Sequence, residues 1–170
     1  DCIVLFGSVM HVLHWVFISG FALYILFTLY FISGISRLKK YPQIQESLPF
    51  VSVIVAARNE DKSLLALLED LSLQDYPNDK IEFIIADDRS KDHTWNIIQE
   101  KKNLDSRFAG VRITEPNPEM TPKKYALTQA IEKSKGDIIL TTDADCRIPN
   151  RWTQSMVNAL SSGAGIVVGL

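Results

Sequence analysis

The segment at residues 50–57 constrains the fold of this chain more than any other. It reads Phe-Val-Ser-Val-Ile-Val-Ala-Ala, which is nearly continuous apolar and β-branched sequence. Such a run is typical of a strand that is buried on both faces, and strands of that kind occur mainly in parallel sheets covered by helices. We therefore expect an α/β domain in which helices cover a mostly parallel sheet.

The sequence after this segment alternates between strand patterns and helix patterns. Further strands are predicted at residues 81–86, 111–114, 138–140 and 163–168. Apolar residues at helical spacing predict the intervening helices at residues 64–71, through 95–98, at 123–134 and through 152–160. Asp92 is the expected cap of the second of these helices, and Asn150 is the expected cap of the fourth. Pro122 is expected in the first position of the third. Strict alternation of this kind predicts parallel strands joined by right-handed crossovers.

The beginning of the chain has a different character. From Ile3 to Ile35 there is no Asp, Glu, Lys or Arg, and roughly 20 apolar residues are enough for a helix to cross a bilayer. No basic stretch precedes this run and it is too long for a signal peptide, so we expect an uncleaved membrane anchor. The predicted division is an anchor at 1–40, a polar linker at 41–49 and one α/β domain at 50–170.

Basic residues next to the anchor predict its orientation. Arg37, Lys39 and Lys40 follow the apolar run, and basic residues beside a spanning helix tend to stay in the cytoplasm. We therefore expect a protein of the plasma or inner membrane with its α/β domain on the cytoplasmic side. Cys2 and Cys146 are poor disulfide partners in this arrangement, as a reducing compartment predicts.

Acidic residues follow three of the predicted strands. The clusters are Arg58-Asn59-Glu60, Asp87-Asp88 and Asp143-Ala144-Asp145. Parallel strands place these clusters on one edge of the sheet, where open α/β sheets bind ligands. Closely spaced carboxylates are costly unless a cation lies between them, and Mg²⁺ or Mn²⁺ bound to phosphate oxygens is the natural candidate. The alternative is a set of acidic loops that merely start the next helices.

Two further features bear on the ligand. Lys123 or Lys124, at a predicted helix start, would add a cation and backbone N–H groups near a phosphate; the alternative is a pair of solvated lysines. The formal net charge is −2 and no basic stripe is present after the apolar run, so nucleic acid is not an expected partner.

Four ordered motifs carry a resemblance to a known family. They are VSVIVAARNE at 51–60, IIADDRSKD at 84–92, KKYAL at 123–127 and TDAD at 142–145. Together they resemble the family 2 glycosyltransferases, and the resemblance covers residues 49–170. It implies a GT-A fold, in which a Rossmann-like nucleotide-binding half is joined to an acceptor half.

The resemblance also implies roles for individual residues. Ala57 and Glu60 would line the nucleotide pocket, and Lys123 would lie beside the diphosphate. Of the pair Asp87 and Asp88, one residue would contact the nucleoside base or ribose. The D-x-D motif formed by Asp143 and Asp145 would bind the metal and the ribose or phosphates of the donor.

Some positions depart from the family pattern. Pro122 and Thr128 stand where many members have Gly and Asn. The acidic pair that contains the family's catalytic base is expected after Leu170, so the chain would be the donor-binding half of a longer enzyme. The function implied is metal-dependent, inverting transfer of a sugar from a nucleotide-sugar donor to a glycan or lipid acceptor, at a membrane.

Two alternative functions fit the sequence less well. A nucleotidyltransferase of similar layout usually has a glycine-rich basic loop after the first strand, and residues 56–60 contain no glycine. A receiver-like signalling module would account for the pair Asp87 and Asp88. It would, however, need an acid at the end of the third strand, where Thr114 stands.

Overall fold

A computed structural model of the chain describes residues 2–36, 48–161 and 164–169. In the first helix, side chains are described at residue 11 and at residues 13–33. The chain divides into two compact units, Asp1–Lys40 and Tyr41–Leu170.

The first unit contains one long apolar helix, α1, at Cys2–Ser36. Its segment Leu13–Ser33 has a mean hydropathy of 2.0 and no buried residues, and it is long and apolar enough to cross a membrane. Large side chains such as Trp15 and Tyr30 are exposed along it. The predicted apolar helix is therefore present. The basic residues predicted to orient it, at 37, 39 and 40, and most of the predicted linker at 41–49 lie outside the described residues.

The second unit is an α/β domain with a parallel sheet. Its strands are β1 (Val51–Ala57), β2 (Ile81–Asp88), β3 (Phe108–Ile113) and β4 (Ile138–Asp143), and its helices are α2 (Leu64–Ser72), α3 (Thr94–Leu104), α4 (Pro122–Ile131) and α5 (Trp152–Ser161). The order across the sheet is β3-β2-β1-β4, and every pair is parallel. The predicted α/β class is confirmed, and the order matches the start of the Rossmann arrangement.

Helices cover both faces of the sheet, as the apolar β1 requires. Alternate residues of β1 and β2, among them Val53 and Phe83, pack against α2, α3 and α5. The intervening residues, among them Ile54 and Ile84, pack against Ala126 and other residues of α4. Because side chains alternate along a strand, the residues at the strand ends also lie alternately on one face of the sheet or the other.

Tertiary pairing lengthens three strands beyond the predicted bounds. β2 and β4 continue through Asp88 and Asp143, since these ends remain paired with neighbouring strands. β3 begins three residues before the predicted start, where the ring of Phe108 stacks on that of Phe83 at 4.6 Å. Acidic and short apolar segments carry little strand propensity of their own, so sheet pairing decides these bounds.

Three other predictions of local structure were wrong. α4 ends at Ile131 instead of residue 134. The first backbone hydrogen bond of α5 is accepted by the carbonyl of Arg151, so Arg151 and not Asn150 is its N-cap. The described residues 164–169 form no strand where one was predicted at 163–168.

The amino ends of β1 and β4 are joined by a short polar network. The N–H of Gly136, just before β4, donates to Ser52 Oγ at 2.8 Å, and the Ser52 hydroxyl donates to Glu82 Oε1 at 2.6 Å. Ser52 is completely buried. A Cβ on Gly136 would lie 2.4 Å from the backbone nitrogen of Ser52. This close approach leaves no room for a side chain at residue 136.

Candidate functional site

The strand order creates a crevice at the carboxyl end of β1. From β1, the sheet continues to β2 and β3 on one side and to β4 on the other. In the register of the sheet, Ala57 pairs with Asp87 and Ala56 pairs with Asp143. Open α/β sheets bind their ligands at such a topological switch point, outside the carboxyl ends of the strands.

A cavity of about 340 Å³ lies at this point. Its walls come from the ends of β1, β2 and β4 and from the start of α4. The lining residues are Ala56, Ala57, Arg58, Glu60, Asp88, Pro122, Lys123, Asp143 and Asp145. The structure thus brings together Ala57, Glu60, Asp88, Lys123, Asp143 and Asp145 of the predicted site. It does not bring Asp87 or Lys124 into the cavity lining.

Strand alternation explains why Asp88 and not Asp87 faces this cavity. Asp88 and Asp143 occupy positions on the α4 side of the sheet, whereas Asp87 follows the positions that face the other helices. Asp87 is completely buried. Its Oδ1 accepts the N–H of Ser90 at 3.3 Å, and its Oδ2 lies 3.8 Å from Nε of Arg112. Within the described part of the chain, Oδ2 has no hydrogen-bond partner.

Asp88 is held between two guanidinium groups. Nε of Arg89 donates to its Oδ1 at 2.8 Å, and Nη1 of Arg58 lies 3.4 Å from its Oδ2. The Asp88 side chain is 5% exposed, and that of Arg58 is 49% exposed. The hydrogen bond to Asp88 raises the pKa of the Arg89 guanidinium. These two contacts fix the orientation of the nearly buried Asp88 carboxylate.

The loops after β1 and β2 hold each other in place. The N–H of Asn59 donates to Ser90 Oγ at 2.9 Å, and the N–H of Lys91 donates to Asn59 Oδ1 at 2.8 Å. Asn59 and Arg89 adopt left-handed backbone conformations, with φ of 56° and 58°. Such conformations cost about 1–3 kcal/mol in a residue other than glycine and persist where the surroundings enforce them. Here the cross-loop hydrogen bonds do so.

Asp92 has a different role from the predicted one. α3 begins at Thr94 with His93 as its N-cap. Asp92 Oδ1 accepts the N–H of Thr94 at 3.0 Å, and its Oδ2 accepts the N–H of Asp61 at 3.1 Å. The carboxylate therefore joins the start of α3 to the loop after β1, instead of acting as the cap residue itself.

The start of α4 supplies the positive side of the cavity. Pro122 is in the first turn of the helix, as predicted. Nζ of Lys123 lies 2.7 Å from Oδ1 of Asp143, and both side chains are more than half exposed. The first N–H groups of a helix and a lysine beside them favour an anion such as phosphate. This arrangement distinguishes Lys123 from Lys124.

The carboxylates at the end of β4 fit a hard divalent cation. Asp143 and Asp145 both line the cavity. In residues 2–36, 48–161 and 164–169, no group of three or more His, Cys, Asp or Glu side chains forms a complete metal cage. Mg²⁺ is usually held by one or two carboxylates together with water and substrate phosphates, so a pair suffices when a diphosphate completes the shell.

A larger cavity lies along the outer edge of β4. It has a volume of about 760 Å³, and its walls include Trp152, Met156 and Ile166. The side chains that line it are mostly apolar, and Asp137 is the one carboxylate among them. We place the functional site in the smaller cavity because its convergent charges suit a phosphorylated ligand.

Sequence reasoning assigned no individual role to Arg58, Arg89 or Asp70. Arg58 stands in the cluster after β1, and its position at a strand end could have identified it. Asp70 lies on α2 and binds the segment after Asp145 through Arg147. Asp70 and Arg147 are 77 residues apart, so no local sequence pattern indicates their contact.

Comparison with curated proteins identifies relatives that transfer sugars. The beta-monoglucosyldiacylglycerol synthase of Nostoc sp. is 36% identical over 107 residues, which cover 62% of this chain and 22% of that protein. Glycosyltransferase AglE of Haloferax volcanii is 30% identical over 120 residues, which cover 71% of this chain and 38% of that protein. The chain thus spans well under half the length of these relatives.

Solved structures share the fold. The mannosyltransferase PcManGT of Pyrobaculum calidifontis, in complex with GDP-Man and Mn²⁺, has a TM-score of 0.63 and 27% identity. The match covers 79% of this chain and 39% of that one. TarS of Staphylococcus aureus in complex with UDP has a TM-score of 0.55 and 25% identity, covering 66% of this chain and 32% of that one.

The family assignment rests on most of the second unit. The sequence profile of Glycosyl transferase family 2 matches residues 52–170. Apart from Val51, this stretch contains the four motifs of the predicted resemblance, and it includes every residue of the cavity. The chain therefore belongs to glycosyl transferase family 2.

Proposed function

We propose that this chain binds a nucleotide-diphosphate sugar through Mg²⁺ or Mn²⁺ and serves as the donor-binding part of an inverting glycosyltransferase. The acceptor would be a glycan or a lipid. One observation carries the proposal: Asp88, Asp143 and Asp145 line one cavity together with Lys123. That cavity lies at the switch point of a parallel sheet, where nucleotides bind in folds of this kind.

Asp143 and Asp145 would hold the cation by their carboxylates. When bound, the cation would neutralise the negative charge that develops on the diphosphate as the bond to the sugar breaks. Lys123 lies beside Asp143 and would add a second positive charge next to the same phosphates. The N–H groups at the start of α4, where Pro122 and Lys123 line the cavity, would orient the diphosphate.

The end of β1 and Asp88 would bind the nucleoside. Ala56 and Ala57 are small, so a ribose or a base can approach the backbone there. The Asp88 carboxylate, fixed by Arg58 and Arg89, would accept hydrogen bonds from ribose hydroxyls or a base N–H. Glu60 would line the same side of the cavity. Asp87 would act indirectly, because it supports the loop after β2 through Ser90.

The names of the relatives agree with this assignment. One similar structure contains GDP-Man and Mn²⁺, and another contains UDP-GlcNAc. A synthase of glucosyldiacylglycerol among the relatives indicates that lipid acceptors occur in this group. We therefore propose a nucleoside diphosphate as the common element of the ligand and leave its base open between uracil and guanine.

The anchor completes the proposal. We propose that residues 1–40 fix the chain to a membrane through α1, that 41–49 link it, and that 50–170 form the donor-binding domain on the cytoplasmic side. The exposed apolar surface at Leu13–Ser33 supports the anchor. A lipid or membrane-bound glycan acceptor would then meet the donor near the bilayer.

Isothermal titration calorimetry of the full chain in detergent tests the proposal. UDP, GDP and their sugars are titrated with Mn²⁺ present and again with the metal removed by EDTA. We expect binding heat with at least one nucleotide, and we expect EDTA to abolish it. Asp105→Asn is a matched control, since it removes an ion pair with Arg107 at the opposite end of the sheet. Absence of metal-dependent heat with every nucleotide would contradict the proposal.

A further inference from the structure

Asp70 lies outside the cavity but contacts the segment that carries Asp145. It is a buried residue of α2. Nε of Arg147 donates to its Oδ2 at 2.6 Å, and Nη2 of Arg147 donates to its Oδ1 at 2.8 Å. The N–H of Ile148 also donates to Oδ2, at 3.1 Å. Bidentate pairs of this kind fix geometry as well as contributing energy.

The segment between β4 and this contact is short. We call residues 143–147 the acidic loop. At its start, Asp143 is paired with Ala56 of β1, and the N–H of Cys146 donates back to the carbonyl of Asp143 at 3.2 Å. Ala144 is buried. At its end, Arg147 is bound to Asp70, so Asp145 lies between two fixed points.

Gln74, just after the end of α2, holds the chain beyond the acidic loop. The Gln74 amide donates to the carbonyls of Asp70 and Pro149, and its oxygen accepts from the N–H and hydroxyl of Thr153 at 2.9 Å each. These four bonds use the full capacity of an amide side chain. Leu67 and Leu71 of the same helix are completely buried, so the support for the acidic loop is rigid.

We propose that Asp70 is a positioning residue that holds Asp145 in the cavity wall by binding Arg147 and Ile148. This inference rests on the proposed function, since the position of Asp145 matters there for binding a cation. Asp70 would touch neither the cation nor the nucleotide. Residues that orient metal ligands in this way typically change metal affinity about 10- to 100-fold when they are replaced.

The test separates the order of the acidic loop from binding at the cavity. Cys146 is an exposed free thiol within the loop and can carry a nitroxide spin label in a Cys2→Ser background of the full chain. Mn²⁺ affinity is measured on the unlabelled chain with UDP or GDP present. Asp70→Asn keeps the size of the side chain but removes the ion pair. Asp105→Asn is the matched control, and Arg147→Ala, at a mostly exposed side chain, serves if Asp70→Asn does not fold.

We expect the label to be restricted in the wild type and in Asp105→Asn and mobile in Asp70→Asn or Arg147→Ala. Mn²⁺ affinity should fall about 10-fold in the same two variants. A label that stays restricted, or a mobile loop with unchanged Mn²⁺ affinity, overturns the positioning role while leaving the proposed function intact. A wild type that binds no Mn²⁺ with either nucleotide overturns both the proposed function and this inference.

Discussion

Replacing Gly136 by alanine tests the packing that brings β4 against β1 and thereby forms the cavity. The added Cβ would lie 2.4 Å from the backbone nitrogen of Ser52, 2.7 Å from its Oγ and 2.9 Å from the carbonyl oxygen of Ile138. Two of these atoms belong to the backbone of paired strands. β1 is bonded to β2 on its other side, so it cannot move away freely.

The expected loss of stability follows from these contacts. Overpacking of a well-packed interior costs about 1–3 kcal/mol, occasionally more, and a backbone obstacle places this case at the upper end. The hydrogen bond from Gly136 to Ser52 Oγ would also be strained, which adds about 1 kcal/mol. We expect the free energy of unfolding to fall by about 3–4 kcal/mol, a large part of the roughly 5–15 kcal/mol that holds a typical domain folded.

Two other glycines provide a graded comparison. A Cβ on Gly110 would meet side-chain atoms, 2.9 Å from Cγ2 of Ile98 and 3.1 Å from Nε2 of Gln99. Because these atoms belong to side chains and not to the backbone of paired strands, we expect Gly110→Ala to cost less than Gly136→Ala, about 1–2 kcal/mol. A Cβ on Gly165 would meet nothing within 4 Å, and Gly165→Ala should change stability by less than about 0.5 kcal/mol.

Urea unfolding of the full chain in detergent gives the measurement. Trp95 and Trp152 pack against the core of the second unit, so their fluorescence reports its unfolding, and Trp15→Phe removes the signal from α1. The expected order of destabilisation is Gly136→Ala, then Gly110→Ala, then Gly165→Ala. Equal stabilities for Gly136→Ala and Gly165→Ala would refute the close approach of the two strands.

Three further predictions concern single side chains. Lys123→Gln should weaken binding of a nucleoside diphosphate more than binding of a nucleoside monophosphate, as measured by calorimetry. Because the ion pair of Lys123 is exposed, the substitution should change the free energy of unfolding by no more than about 1 kcal/mol. The hydrogen bond from Arg147 holds the pKa of Asp70 below its usual 3.8, so the stability from this contact is present at neutral pH and is lost as the pH falls through the lowered pKa. The difference in unfolding free energy between wild type and Asp70→Asn should therefore shrink as the pH falls below 3.8. Burial raises the pKa of Tyr76 to about 12 from 10.0, so the free energy of unfolding should fall as the pH rises above 10.0. Tyr76→Phe removes a 2.7 Å hydrogen bond to the carbonyl of Pro49 and should cost about 1 kcal/mol. The same substitution should abolish the late phenol titration seen in ultraviolet absorbance.

The architecture was predictable because it follows from local patterns. The apolar run that became β1 required cover on both faces, and the alternation of strand and helix patterns required a parallel sheet. A parallel sheet then places the acidic residues at the ends of β2 and β4 on one edge. The bounds of β2 and β4 were predicted too short, because Asp88 and Asp143 are held in the strands by pairing with their neighbours and not by their own propensity.

The details of the site depended on facts that are not local. Strand alternation alone could have shown that Asp87 and Asp88 face opposite sides of the sheet, and the presence of α4 on one side selects Asp88. The contact between Asp70 and Arg147 joins residues 77 positions apart. Arg89, which pairs with Asp88, has a left-handed backbone, and no sequence pattern for arginine predicts that conformation.

Electron paramagnetic resonance of Mn²⁺ tests the central claim most directly. Free Mn²⁺ gives a sharp signal that decreases on binding, so titration of the wild type, Asp145→Asn and Asp105→Asn with UDP or GDP present measures the affinity of the site. The account predicts that the signal decreases with wild type and Asp105→Asn and that Asp145→Asn binds at least about 10-fold more weakly. Equal Mn²⁺ binding by Asp145→Asn and wild type would contradict the claim that the acids at these strand ends hold a cation and its phosphorylated donor.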